Sequence, residues 1–138
     1  MVKIYMEKEK FRAQLVELII KHAEYFLRES GEFFPFGGTV GGDNIMRSAA
    51  AYPGEEQPAP SLVIDLLNDA FDKGLKSGQY KMVAIGVDVL LPEDWLGERL
   101  SAVQILVRDA AGRVGEYHLP YFRDTAGEFV YLPLRTIA

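Results

Sequence analysis

Between Met6 and Glu29 the chain repeats apolar residues with the period of a helix. Phe11, Leu15, Leu18, Ile19, His22 and Phe26 follow one another at offsets of four, three, one, three and four, which gathers them on one side of a helix. Val16, Ile20, Ala23 and Leu27 widen that stripe beyond half the circumference. The remaining side carries Glu17–Lys21 and Glu24–Arg28, i,i+4 pairs in the favourable order, each worth roughly 0.2–0.5 kcal/mol. Ser30-Gly31 ends the segment, with Gly31 suited to a left-handed cap. A helix this apolar must lie on a sheet, or on a sheet and a partner chain.

The sequence that follows supplies such a sheet. Aromatics at Phe33, Phe34 and Phe36 lead into Gly37-Gly38-Thr39-Val40-Gly41-Gly42-Asp43-Asn44, which reads as a strand and a hairpin turn. Ile45 to Tyr52 is the returning strand. Pro53 to Pro60 is a polar loop, and Ser61 is expected to cap a second helix over Leu62 to Lys76, stopped by Ser77-Gly78. Val83, Ile85, Val87, Val89 and Leu91 then alternate with Met82, Ala84, Gly86, Asp88 and Leu90, as do Val103, Ile105 and Val107 with Gln104, Leu106 and Arg108. Asp109 to Gly112 and Asp124 to Gly127 are turns, Val114 to Tyr121 runs back between them, and Phe129 to Leu132 is a short last strand. The expected fold is α+β: an antiparallel sheet of five to six strands with two helices, in the order α-β-β-α-β-β-β(-β). The hairpins make the later strands antiparallel, and such a sheet is expected to group its helices on one face. The order resembles roadblock and profilin-like sandwiches, which close with a further helix that this sequence lacks.

At 138 residues, 49% apolar and 25% charged, the chain suits one domain over 1–138 with a sizeable core. There are no cysteines, so disulfides, thiolate zinc sites and cysteine nucleophiles are excluded. A net charge of −5 repels phosphate backbones, so nucleic acid is not expected as a partner, whereas a basic protein surface would be attracted. The N-terminus lacks the apolar core of a secretory signal, and no run reaches the roughly 20 apolar residues of a membrane span. A cytoplasmic protein is the expectation.

Few residues point to chemistry. The glycine-rich segment has no lysine and opens onto no helix, so it is not a phosphate-binding loop; tight packing or turn geometry accounts for it. His22 belongs to the apolar stripe. Asp88, Gln104, Arg108, Glu116 and His118 occupy polar strand positions and are expected to share one sheet face, with Arg108–Glu116 as a cross-strand pair. Tyr117, Leu119 and Tyr121 point the other way. The candidate binding residues are thus Asp88, Arg108, Glu116 and His118, joined by Tyr117 and Tyr121 because Tyr52, Trp95, Tyr117, Tyr121, Phe122 and Tyr131 read as exposed aromatics of the kind favoured at interfaces. No catalytic residue, cofactor or metal site is expected, since two distant histidines and no acidic cluster give no ligand spacing.

The stretch Gly31-Glu32-Phe33-Phe34-Pro35-Phe36-Gly37-Gly38, with Asp88-Val89 and Pro120-Tyr121, resembles a family of small uncharacterised bacterial proteins with a Gly-Glu-Phe-x-Pro-Phe-Gly segment. That resemblance implies an immunity-like protein that neutralises a toxin. Three expectations follow: a non-catalytic protein-binding module, a small-ligand-binding or enzymatic domain using Asp88, Arg108 and His118, or a homodimer joined through the wide face of the first helix.

Overall fold

Two adjacent glycines decide how the chain is layered. The computed structural model describes residues 2–54, 57–95 and 97–137, with backbone alone for 2–5, 95 and 98. Its elements are α1 (Val2–Ser30), β1 (Phe36–Gly41), β2 (Met46–Ala49), α2 (Pro60–Ser77), β3 (Tyr80–Trp95), β4 (Glu98–Asp109), β5 (Gly112–Arg123), β6 (Phe129–Tyr131) and β7 (Arg135–Thr136). A Cβ on Gly37 would stand 2.6 Å from Cζ of Phe71 in α2, whereas one on Gly38 would stand 2.9 Å from Cδ2 of Leu18 in α1. Neighbouring strand residues face opposite sides of a sheet. The two helices therefore press on β1 from opposite faces, which corrects the expectation that they share one. Neither glycine has a positive φ; what each supplies is the absence of a side chain.

The seven strands form one antiparallel sheet in the order β2-β1-β3-β4-β5-β6, with β7 also beside β5. The α+β order read from the sequence holds. Helix α1 crosses β1, β3, β4 and β5. Its stripe of Leu15, Ile19, Ala23 and Leu27 is sealed against Val40, Met82, Ala84, Val103, Ile105 and Val107, and each large aliphatic so buried contributes about 1.5–3 kcal/mol. The wide face of α1 is therefore spent on the chain's own sheet. On the other side, α2 lays Val63, Leu67, Phe71 and Leu75 on Val83 and Ile85. It lies mainly on β1 and β3, with Leu106 of β4 packed against the same cluster. Farther along that face a third cluster, Leu91, Leu100 and Ala102, is closed by Phe122 and Leu132.

Proline and glycine set several boundaries. Helix α2 begins at Pro60 after Ala59, with no side-chain cap; Ser61 lies inside the first turn and does not cap it. Proline fits there because its missing N–H would have had no helical partner. Strand β3 continues beyond Leu91 to Trp95 because a register shift between Leu90 and Asp94 absorbs Pro92. In β5 the carbonyl of Pro120 accepts from Leu132 N–H at 2.9 Å, so its missing N–H faces the same edge. One residue beyond Leu132, Pro133 lies in the break between β6 and β7.

Candidate functional site

The six candidate binding residues separate onto two faces. Strand register puts Asp88 opposite Val103, and Val103 opposite Leu119, on the face that α1 covers. Gln104 pairs with His118, and Leu106 with Glu116, on the face of α2. Arg108, Glu116 and His118 share a face as expected, but Asp88 does not join them. The alternation of β3 explains why: Val83, Ile85 and Val87 face α2, so the even-numbered residues face α1.

On the α2 face Arg108 ties helix to sheet. Its Nη1 donates to Asp72 Oδ1 at 2.5 Å and its Nη2 to Asn68 Oδ1 at 3.0 Å. The expected Arg108–Glu116 pair is not formed. Glu116 accepts instead from Arg113 Nη1 at 3.0 Å, and its other oxygen lies 3.6 Å from His118 Nε2, too far for a hydrogen bond. That nitrogen is buried and has no hydrogen-bond partner among the described residues. A groove of about 430 Å³ runs between Ile64, Asn68 and Asp72 of α2 and Gln104, Leu106 and Arg113 of the sheet.

On the α1 face Tyr121 donates its O–H to Asp88 Oδ1 at 2.6 Å. Asp88 is exposed as a residue, yet its carboxyl is drawn against the sheet. Loss of water there, aided by the negative charge of Glu32, holds its pKa above the usual carboxylate value, and the Tyr121 hydrogen bond opposes the rise. The Tyr121 phenol is likewise raised, by burial and then by Asp88, and that of Tyr131 is pushed up to about 12, chiefly by burial. Tyr117 and Tyr121 are only 8% and 6% exposed. They are core residues, against the expectation of exposed interface aromatics. Phe122 and Tyr131 are half-buried, Tyr52 is exposed, and the side chain of Trp95 lies outside the described residues.

An exposed aromatic pair lies at the seam of α1 and β2. Tyr25 is 52% and Phe26 37% exposed. Phe26 packs edge-on against Phe36 and His22, and His22 is tilted against Phe36. Sequence periodicity places Phe26 and His22 in the core stripe; at the helix's C-terminal end that stripe overhangs the sheet's edge. Beside it β2 ends the sheet. The hairpin joining β1 to β2 is fixed by Asp43, whose carboxylate accepts from Ile45 N–H at 3.1 Å and Arg47 Nη2 at 3.0 Å. Those two donors, Arg47 first, hold its pKa below the usual value.

No family model, curated protein or solved structure matches the chain. Among the described residues no group of three or more His, Asp or Glu is placed to hold a metal ion. No described helix is long and apolar enough to cross a membrane.

Proposed function

We propose that this chain is a non-catalytic protein-binding module that presents the α1–β2 seam to a protein with a basic surface. The observation that carries this reading is the aromatic group at the seam: Tyr25 and Phe26 stand in solvent beside an open sheet edge. Large aromatics in such positions supply contact area at little entropic cost and recur as binding hot spots. The net charge of −5 favours a basic partner and faster encounter with it. The resemblance of the Gly31–Gly38 segment to immunity-like proteins makes a toxin one such partner.

The test is co-purification of the tagged full chain from its native lysate, beside a Tyr25→Ser/Phe26→Ser variant. A stoichiometric partner that is released as salt rises, and that the variant holds about tenfold less tightly or worse, is the expected result. A wild-type chain that elutes alone overturns the proposal.

A second reading, small-ligand binding, is favoured by the groove beside Arg108, where apolar Ile64 and Leu106 lie next to converging polar groups. Thermal-shift screening against Arg108→Lys and Arg113→Ala variants, both at groove-lining positions, tests it. Since Asp88 faces away from this groove, an Asp88→Asn variant serves as the control.

A further inference from the structure

We infer that the partner engages this chain by adding an extended segment to β2, with two alternate side chains of that segment entering two hollows between β2 and α1. The inference rests on the protein-binding reading and specifies its mode.

Gly41 N–H donates to Ile45 O at 3.0 Å, and the register continues through Val40–Met46, Thr39–Arg47, Gly38–Ser48 and Gly37–Ala49. In an antiparallel pair hydrogen-bonded and non-bonded positions alternate. Arg47 and Ala49 therefore turn their backbone groups toward β1, while Met46 and Ser48 turn theirs outward, away from the sheet. An incoming strand would bond to these two residues.

The side chains give the rest. Met46 lies opposite Val40 and Ser48 opposite Gly38, both on the α1 face. Each lines its own hollow there. One, of about 390 Å³, is walled by His22, Tyr25, Phe26, Phe36 and Ser48. The other, of about 410 Å³, is walled by Gln14, Glu17, Leu18, Lys21, His22 and Met46. Residues of an added strand opposite Ser48 and Met46 would be two apart and point to one face, roughly 7 Å from each other. One would enter an aromatic-walled hollow and the other a hollow with an apolar floor at Leu18 and charged walls. The segment that fits is extended, with a large apolar or aromatic residue at one position. Two positions away it carries a long side chain with an apolar stem.

A second copy of this chain suits the edge poorly. The symmetric pairing that joins Met46 of each copy to Ser48 of the other sets Arg47 directly against Arg47, and like charges directly opposed are destabilising. The symmetric register centred on Ser48 avoids that clash but sets only Ser48 and Ala50 against the hollows, and the one centred on Met46 sets the turn residue Asn44 against the aromatic-walled hollow; these side chains are too small to fill them. A different protein meets no such penalty.

The experiment selects random decapeptides, displayed on phage, against the full-length chain. The best binder is then followed by residue-resolved amide exchange. Two results are expected: binders that share large residues at i and i+2, and slowed exchange at the Met46 and Ser48 amides when the peptide is bound. A Ser48→Pro variant, which removes an outward N–H and leaves the bonds to β1 intact, should bind the peptide about tenfold less tightly. Should that variant misfold, the exchange measurement on the wild-type chain decides. Binders that leave the Met46 and Ser48 amides unprotected, no enriched binders, or concentration-dependent dimerisation that Ser48→Pro abolishes would each overturn strand addition. A lysate partner lost by the Tyr25/Phe26 variant but held fully by Ser48→Pro would leave the protein-binding reading standing and sink this mode alone.

Discussion

Adding one methyl group at Gly37 and one at Gly38 should have unequal effects. At Gly37 a Cβ would stand 2.6 Å from Ala84 O and 2.6 Å from Phe71 Cζ. The carbonyl belongs to the neighbouring strand and cannot turn aside, and Phe71 is 2% exposed in the core of the α2 face. Overpacking of this sort costs about 1–3 kcal/mol, and two contacts well inside van der Waals range put Gly37→Ala at the upper end. At Gly38 the nearest atoms are Leu18 Cδ2 at 2.9 Å and Leu15 Cδ2 at 3.1 Å, both far ends of side chains, and Leu18 is only partly buried. Both substitutions gain about 0.4–1 kcal/mol from a less flexible unfolded chain, since neither site needs positive φ. Gly37→Ala should therefore lose about 2 kcal/mol net, and Gly38→Ala should fall within about 1 kcal/mol of the parent. Urea unfolding at constant m-value measures the difference. At a few degrees per kcal/mol for a chain of this size, the melting temperature should separate the two variants by roughly 5 °C. A Gly38→Ala loss equal to or larger than that of Gly37→Ala would refute the layering argument, because it would mean that α2 does not seat on β1 through Phe71.

Two further outcomes follow from the polar contacts. The folded pKa of Asp88 lies above its unfolded value of 3.8, so its contribution is full below that value and is lost as pH rises through the folded pKa; Asp88→Asn, which still accepts from Tyr121, should abolish that part of the decline in urea midpoints from pH 4 upward, and a pH profile unchanged from the parent would refute this. Arg108→Lys should lose the simultaneous reach to Asp72 and Asn68, because an ammonium cannot reproduce the guanidinium fork; the exposed geometry limits the cost to about 1 kcal/mol by chemical denaturation, and a loss-free Lys variant would show that the tie contributes nothing.

Much of the fold is legible in residue types and spacing because it rests on local rules. The stripe of α1, the alternation in β3 and β4, and the turns at Asp109 and Asp124 follow from side-chain period and turn chemistry; Asp124 Oδ1 accepts from the N–H groups of Ala126 and Glu128, both at 2.9 Å, as a turn aspartate does. Layering is not legible in the same way. Gly37-Gly38 looked like a turn or a site of close packing, and only the identity of the two opposing side chains shows that the packing is two-sided. The continuation of β3 past Leu91 is not legible, since a register shift that tolerates Pro92 leaves no local trace. Of the candidate residues, Arg108, Glu116 and His118 fall together because the β4–β5 register pairs even-numbered residues with even ones, as Gln104 with His118. Asp88 falls on the other face because the β3–β4 register pairs odd-numbered residues with even ones, as Val87 with Gln104, and residue types alone do not specify that register. The seam aromatics are hidden for a related reason: periodicity tells which side of α1 is apolar, and not where the sheet beneath it ends.

The antiparallel order has a consequence for how the chain comes together. Strands β3, β4 and β5 each pair with their neighbour in sequence, so this part can zip up through short hairpins. The first half joins only when residues 36–41 of β1 find residues 80–86 of β3, a closure across the whole of α2. Such non-local pairings form late, after the loop entropy has been met. On a ribosome, β1, β2 and the apolar stripe of α1 emerge well before the strands that will cover them. For that interval the half-made protein shows its widest greasy surface to whatever is nearby, and holding it unaggregated until β3 arrives falls to chaperones or to the speed of synthesis itself.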